Sequence, residues 1–261
     1  METPLLQMKN IEISYNGKPV VKDISISLKQ GEILGIVGES GSGKSTVIKA
    51  AMGLLGQTGR VTEGSILFNG EDISKLTSEQ MRRLRGPKMG MIFQNSAAAL
   101  CPIRKIGDQL LESVTQHKKM SESEMMTQSL ALMKKLHLHD GERILNSYPF
   151  ELSGGMNQRV GIVMAMMLQP ELLFADEPTS ALDVTVQAQV VKEMMSMRDL
   201  YNTGIVIVTH NIGVVSYMAD KIAVMYKGNI VECGSTQEII TNPKEEYTKK
   251  LLKAVPRICK E

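Results

Sequence analysis

The chain has 261 residues, 43% of them hydrophobic and 22% charged, with a formal net charge of +2. That length suits one large domain, or one domain with a lobe, and can bury a sizeable core. The balanced charge argues against a nucleic-acid partner, and the longest apolar runs, such as 162–168, are too short to span a bilayer.

The N-terminal "METPLLQMKN" lacks a basic n-region and an apolar h-region, so no signal peptide is expected. Cys101, Cys233 and Cys259 are widely spaced and odd in number, which suits neither a disulfide framework nor a C-x-x-C metal site. A reducing cytoplasm is the expected compartment. The 19 methionines read as soft core filling.

In chain order, the first elements are β. "MKNIEISY" alternates over 8–15, Asn16-Gly17 signals a hairpin, and "DISISL" alternates again over 23–28. "EILGIVG" is short and continuously apolar, as a strand buried on both faces should be. A helix is predicted from Lys44 to about Leu55. Buried strands are predicted in "KMGMIFQ" (88–94), "ELLFAD" (171–176) and "GIVIVTH" (204–210), with helical segments between them. That alternation predicts a parallel sheet and an α/β fold. From about 95 to 151 the chain is polar and helical in pattern, which predicts an inserted helical lobe. "SESEMMTQSLALMKKLHL" is its strongest helix. "KIAVMYKGNIVECG" predicts a hairpin turning at 227–229. "NPKEEYTKKLLKAVP" predicts a last helix with Pro243 near its start.

Three stretches carry chemistry. "GESGSGKST" (38–46) matches G-x-x-x-x-G-K-[ST] between a predicted strand and a predicted helix. Tight bending at Gly38, Gly41 and Gly43 would aim backbone N–H groups inward, and the helix start adds its positive end. Lys44 would reach β- and γ-phosphates, and the Ser45 hydroxyl would ligate Mg²⁺. "LLFADEPTSALD" ends a buried strand in two adjacent carboxylates. Their repulsion is costly unless a cation or a reaction uses them. Asp176 suits a direct or second-sphere Mg²⁺ role, and Glu177 suits the general base at the γ-phosphate. "ELSGGMNQRV" (151–160) places Ser153 as a helix N-cap, with Gly154 and Gly155 permitting close backbone approach.

In this order, "GESGSGKST", "LSGGM", "LLFADEP", "SALD" and "VTHN" resemble the nucleotide-binding subunit of ATP-binding cassette (ABC) transporters, over nearly the whole chain. The resemblance implies a P-loop NTPase (RecA-like) α/β core with an N-terminal antiparallel β subdomain and an inserted α-helical subdomain. The expected core is 1–94 and 156–261, with the helical subdomain at about 95–155. It implies ATP and Mg²⁺ as ligands, held by the loop residues Gly38, Ser40, Gly41, Gly43, Lys44, Ser45 and Thr46. Two subunits would sandwich two ATP molecules head to tail. Ser153, Gly154 and Gly155 of one would contact the γ-phosphate on the other. Gln94 looks like the Q-loop residue reaching Mg²⁺ or the attacking water. His210 looks like the switch histidine, Tyr15 like the aromatic stacked on adenine, and Asp183 like the D-loop residue facing the second subunit. His117, His137 and His139 lie outside the motifs, and the pair around "HLH" is expected at the surface or in the core rather than at a metal site.

"LSGGMNQRVGIVMAM", "ADEPTSALDVTVQAQVV" and "YTKKLLKAVP" resemble the oligopeptide/dipeptide/nickel importers. That resemblance implies a peripheral ATPase on the cytoplasmic face of the membrane. Its expected partners are a second, different ATPase (a heterodimer in preference to a homodimer), two permeases and, indirectly, an extracytoplasmic binding protein. Small peptides rank before nickel or a metal chelate as cargo. The chain departs from the pattern at Cys101-Pro102, Asn157 and Asn211. It ends soon after Cys259, so the C-terminal cysteine cluster of some relatives is not expected. A non-transport ABC ATPase acting on nucleic acid or ribosomes is the alternative, and a small-molecule P-loop kinase is a third reading.

Overall fold

The computed structural model describes residues 3–180 and 182–254. They fall into two compact units, one within 1–81 and 204–261 and the other within 82–203. Cys259 and the end of the predicted last helix, "VP", lie outside the described residues.

The first unit opens with β1 (Leu6–Tyr15) and β2 (Lys18–Leu28). Asn16 and Gly17 join them, both at positive φ (49° and 74°), as the tight hairpin turn demands. The β1 alternation is broken once. Met8 and Ile11 are both buried although three residues apart, and the pairing register shifts between them. Asn10, at φ 47°, is the extra residue, and its amide donates to Asp23 Oδ1 at 2.7 Å. A bulge of this kind lets one strand keep its apolar side inward across the slip.

β3 (Ile33–Val37) is buried at every position. It runs into the glycine loop and then into α1 (Lys44–Ala51). α1 is shorter than predicted because Gly53 takes positive φ and ends it. β4 (Gly59–Phe68), β5 (Glu71–Asp72) and α2 (Ser78–Leu84) follow. The antiparallel sheet has the order β2-β1-β4-β5.

The second unit holds β6 (Met89–Ile92), α3 (Ser96–Ala99), α4 (Ile106–Thr115), α5 (Glu122–Lys135), α6 (Gly141–Asn146) and a 3-10 turn at Pro149–Glu151. α7 (Gly154–Met166), β7 (Leu172–Asp176) and α8 (Val184–Tyr201) complete it. Ser121 and Glu124 close a capping box on α5, and His137 at φ 52° stands just past its end. β6 and β7 pair in parallel, with Ile92 opposite Ala175. Glu193 on α8 is 2% exposed and accepts from Arg159 Nε of α7 at 2.7 Å and from Gln189 at 3.1 Å. Arg159 also donates to the Leu136 carbonyl at the end of α5, so one buried cluster joins three helices.

The chain returns to the first unit with β8 (Gly204–Thr209), α9 (Ile212–Met218), β9 (Lys221–Tyr226), β10 (Asn229–Ser235), α10 (Thr236–Thr241) and α11 (Glu246–Lys253). β3 lies parallel between β8 and β9, and β10 pairs antiparallel with β9. Lys227 and Gly228, both at positive φ, make the β9–β10 turn. β8 is buried at all six positions, as a strand covered on both faces must be.

Candidate functional site

In parallel sheets, ligands gather beyond the carboxyl ends of the strands. Two such edges carry the predicted residues here, one in each unit. In the first, Val37 pairs with Thr209, so Gly38 and His210 leave neighbouring strands side by side. In the second, Ile92 pairs with Ala175. Gln94 and Glu177 each stand two residues beyond a paired residue.

The glycine loop is built differently at each glycine. Gly41 (φ 81°) and Gly43 (φ 103°) take the left-handed conformation that bends the loop. Gly38 does not. A Cβ there would lie 2.1 Å from the Met225 carbonyl oxygen of β9, so close packing, not bending, demands it. This corrects the expectation that all three serve the bend. Lys44 is 5% exposed and donates from Nζ to the carbonyls of Gly38 and Glu39, both at 2.8 Å. α1 has no acidic residue in its first turn, leaving its positive end uncompensated locally. Ser42 Oγ is buried without a hydrogen-bond partner. A buried ammonium, a helix start and an orphaned hydroxyl fit a polyphosphate with its cation. Ser40 is exposed, and Ser45 and Thr46 are half-buried at the head of α1.

One support of this loop escaped sequence reasoning. The Glu39 amide donates to the Tyr247 hydroxyl of α11 at 3.0 Å. The Tyr247 ring lies 4.3 Å from that of Tyr226. Burial pushes the Tyr247 phenol up, so it stays protonated. Nothing in the spacing pairs residues this far apart. Tyr15 ends β1 beside Gly59, where a Cβ would come 2.7 Å from its ring. His210 is exposed, and Asn211 caps α9 by accepting from Gly213 and Val214. Asn211 therefore does the capping an aspartate would do.

In the second unit Asp176 is 7% exposed at the end of β7. Glu177 follows at φ 48°, a costly conformation for a non-glycine residue that recurs at functional sites. Ser180 clamps it, donating its amide and its hydroxyl to the Glu177 carbonyl at 3.0 and 2.9 Å. Gln94 is exposed, and Asn95 behind it caps α3 by accepting from Ala98.

Ser153 is the N-cap of α7, accepting from the Met156 amide at 3.3 Å. Its two glycines differ. A Cβ on Gly155 would lie 2.9 Å from Val186 of α8, whereas one on Gly154 would meet nothing within 4 Å. Gly155 is thus spent on packing within the chain, and Gly154 faces open space. Asp183 is exposed and caps α8 by accepting from Val186 at 3.0 Å, beside an 82% exposed Val184. Asn157 is buried, and donates to the Pro149 and Leu152 carbonyls at 2.9 and 3.3 Å.

Among the described residues, no group of three or more His, Cys, Asp or Glu could hold a metal, and no helix is long and apolar enough to cross a membrane. Residues 21–180 match the ABC transporter family. The dipeptide transport ATP-binding protein DppD of Lactococcus lactis subsp. cremoris (strain MG1363) is 41% identical, over 98% of this chain and 75% of its own length. The oligopeptide transport ATP-binding protein OppD of Escherichia coli (strain K12) is also 41% identical, over 98% and 77%. Among solved structures, the dimeric ATP-binding cassette MJ0796 bound to ADP and Pi superimposes with a TM-score of 0.78 at 26% identity, covering 88% of this chain and 98% of that one. CbiO1 from Clostridium perfringens, part of an ABC transporter complex, gives 0.81 at 25%, covering 98% of each. With its glycine loop, paired carboxylates and capped LSGG helix on a matching fold, this chain belongs to the ABC transporter family, as an ATP-hydrolysing ATP-binding subunit.

Proposed function

We propose that the chain binds ATP with Mg²⁺ and hydrolyses it to drive a membrane importer of small peptides, with nickel or a metal chelate as the second choice of cargo. The names and near-full coverage of its relatives support the peptide reading. The observation that carries the ATPase chemistry is the strand-end placement of Asp176 and Glu177, with Glu177 clamped in a left-handed backbone.

In this reading Lys44 exchanges the Gly38 and Glu39 carbonyls for phosphate oxygens. Ser45 and Asp176 would hold the cation, with Gln94 as a further ligand or a contact of the attacking water. When bound, Mg²⁺ would supply charge neutralisation to the phosphates. Glu177 accepts the proton of the attacking water, and His210 donates a hydrogen bond to the γ-phosphate. Ser40, Gly41, Gly43 and Thr46 contact the phosphates, and Tyr15 stacks on adenine. Ser153 and Gly154 donate to the γ-phosphate held by a second subunit, which Asp183 also faces. The second subunit is a different ATPase, and the pair works on two permeases at the cytoplasmic face, fed by an extracytoplasmic binding protein. The helical segment 95–155 passes the nucleotide state on to the permeases.

Glu177→Gln tests the chemistry. Loss of a general base costs about 100-fold or more in turnover, so hydrolysis should collapse while ATP binding, followed by equilibrium dialysis, is kept. Lys44→Ala should lose binding itself. Full turnover in Glu177→Gln would remove Glu177 from the mechanism.

A further inference from the structure

α7 starts at Ser153, and further along it is fastened to the segment that carries Gln94. Gln158 is 5% exposed, and its Nε2 donates to the Phe93 carbonyl at 3.2 Å. That carbonyl belongs to the peptide unit joining Phe93 to Gln94, so the bond sets the orientation of the Gln94 backbone. Three residues on, Gly161 meets Ser96 of α3. A Cβ on Gly161 would lie 2.4 Å from Ser96 Oγ and 2.8 Å from Ser96 Cβ. Ser96 is 4% exposed, and its own hydroxyl approaches the Phe93 carbonyl at 3.5 Å. Residues three apart share a helix face, so α7 grips the 93–96 segment at two points on one side.

The choice of residue is informative. An apolar side chain could fill the position of Gln158 without needing any partner, and burying an amide is favourable only when it is paired. Phe93 lies one residue past the last paired residue of β6, and α7 supplies a donor to its carbonyl through Gln158. Ser153 lies five residues before Gln158, roughly 8 Å along the axis, and the helix between them is rigid on that scale.

We infer that Gln158 is a positioning residue for Gln94, and that α7 and the 93–96 segment move as one body. Displacement of the LSGG end of α7 then shifts Gln94, and a shift at Gln94 is felt at Ser153. The inference rests on the proposed role of Gln94 in hydrolysis.

The test is a double-mutant cycle on the full chain in the membrane complex recovered with it. Gln158→Met keeps length and bulk and removes the donor. Mispositioning should lower kcat roughly tenfold, with KM for ATP within about twofold of wild type. On a Gln94→Ala background, Gln158→Met should cost nothing more, because both act through one group. Deuterium uptake at residues 93–97 should rise in Gln158→Met while α4 and α5 stay unchanged. An independent, multiplicative loss on the Gln94→Ala background would overturn the inference. So would an unchanged kcat, or uptake rising throughout the unit. If Gln158→Met does not fold, Gly161→Ala should lower kcat, and adding Ser96→Gly, which removes the clash, should restore it; failure to restore counts against the latch. Wild-type kcat in Gln94→Ala alone would instead refute the role of Gln94, and uptake at 93–97 would then still decide whether the latch exists.

Discussion

At the scale of single residues, glycines that look alike in a motif divide by what surrounds them. Gly154→Ala adds a methyl group in open space, so the fold should keep its stability while pairing with a second subunit suffers. Gly155→Ala drives a methyl group to 2.9 Å from Val186, and overpacking of this kind costs about 1–3 kcal/mol. Urea denaturation, set beside ATP-dependent dimerisation by light scattering, separates the two. Tyr247→Phe removes one neutral hydrogen bond to the glycine loop, worth about 1 kcal/mol, or roughly fivefold in ATP affinity. An unchanged affinity would mean that the Glu39 amide needs no fixing. The motif residues could be singled out as candidates because phosphate chemistry demands those residue types at fixed spacing. Tyr247 and Gln158 were not, because each meets a backbone group far along the chain, 65 residues away for Gln158. A side chain that bonds a distant main-chain atom leaves no periodic trace.

At the scale of elements, the continuous apolar strands β3, β7 and β8 could be read directly, since burial on both faces leaves no alternation to misjudge. β4 could not. Its first half is mostly exposed and it carries Gly59 and Gly64, which suppress the strand signal, yet it pairs with β1 at eight positions from Gly59 to Phe68. α11 depends on charge. Burial alone would raise the Glu232 carboxyl, but the Lys244 and Glu245 amides donate to it at 2.7 and 3.2 Å and hold it below the ordinary 4.5. A depressed carboxylate stabilises fully above its unfolded value and loses that contribution as pH falls through the folded one. Protection of α11 against hydrogen exchange, corrected for the intrinsic rate, should therefore fall below about pH 4.5 in the wild type, and in Glu232→Gln it should be low already at neutral pH. Equal protection of the two at pH 7 would exclude this anchor. In α7, Asn157→Asp would aim a carboxylate at the Pro149 and Leu152 carbonyls in a buried site, at a cost of about 2 kcal/mol or more in urea unfolding.

At the scale of the whole molecule, the chain holds an exposed LSGG helix start and a glycine loop, and in the proposed reading these serve two different nucleotides in a pair of subunits. The purified subunit alone should therefore hydrolyse ATP slowly, and should quicken when its ATPase partner is added. Vigorous turnover by a strictly monomeric preparation would contradict the shared site. Cargo is not legible at this scale, because in the proposed complex the permeases and the binding protein touch it and this chain does not. The most direct measurement is to tag the Glu177→Gln variant, hold it with ATP and Mg²⁺ in native membranes, and identify what is recovered with it by mass spectrometry. The account predicts two permeases, a second ATPase and a binding protein whose ligand can then be tested, peptide against nickel. Recovery of ribosomal or nucleic-acid-binding proteins, with no membrane protein, would contradict it.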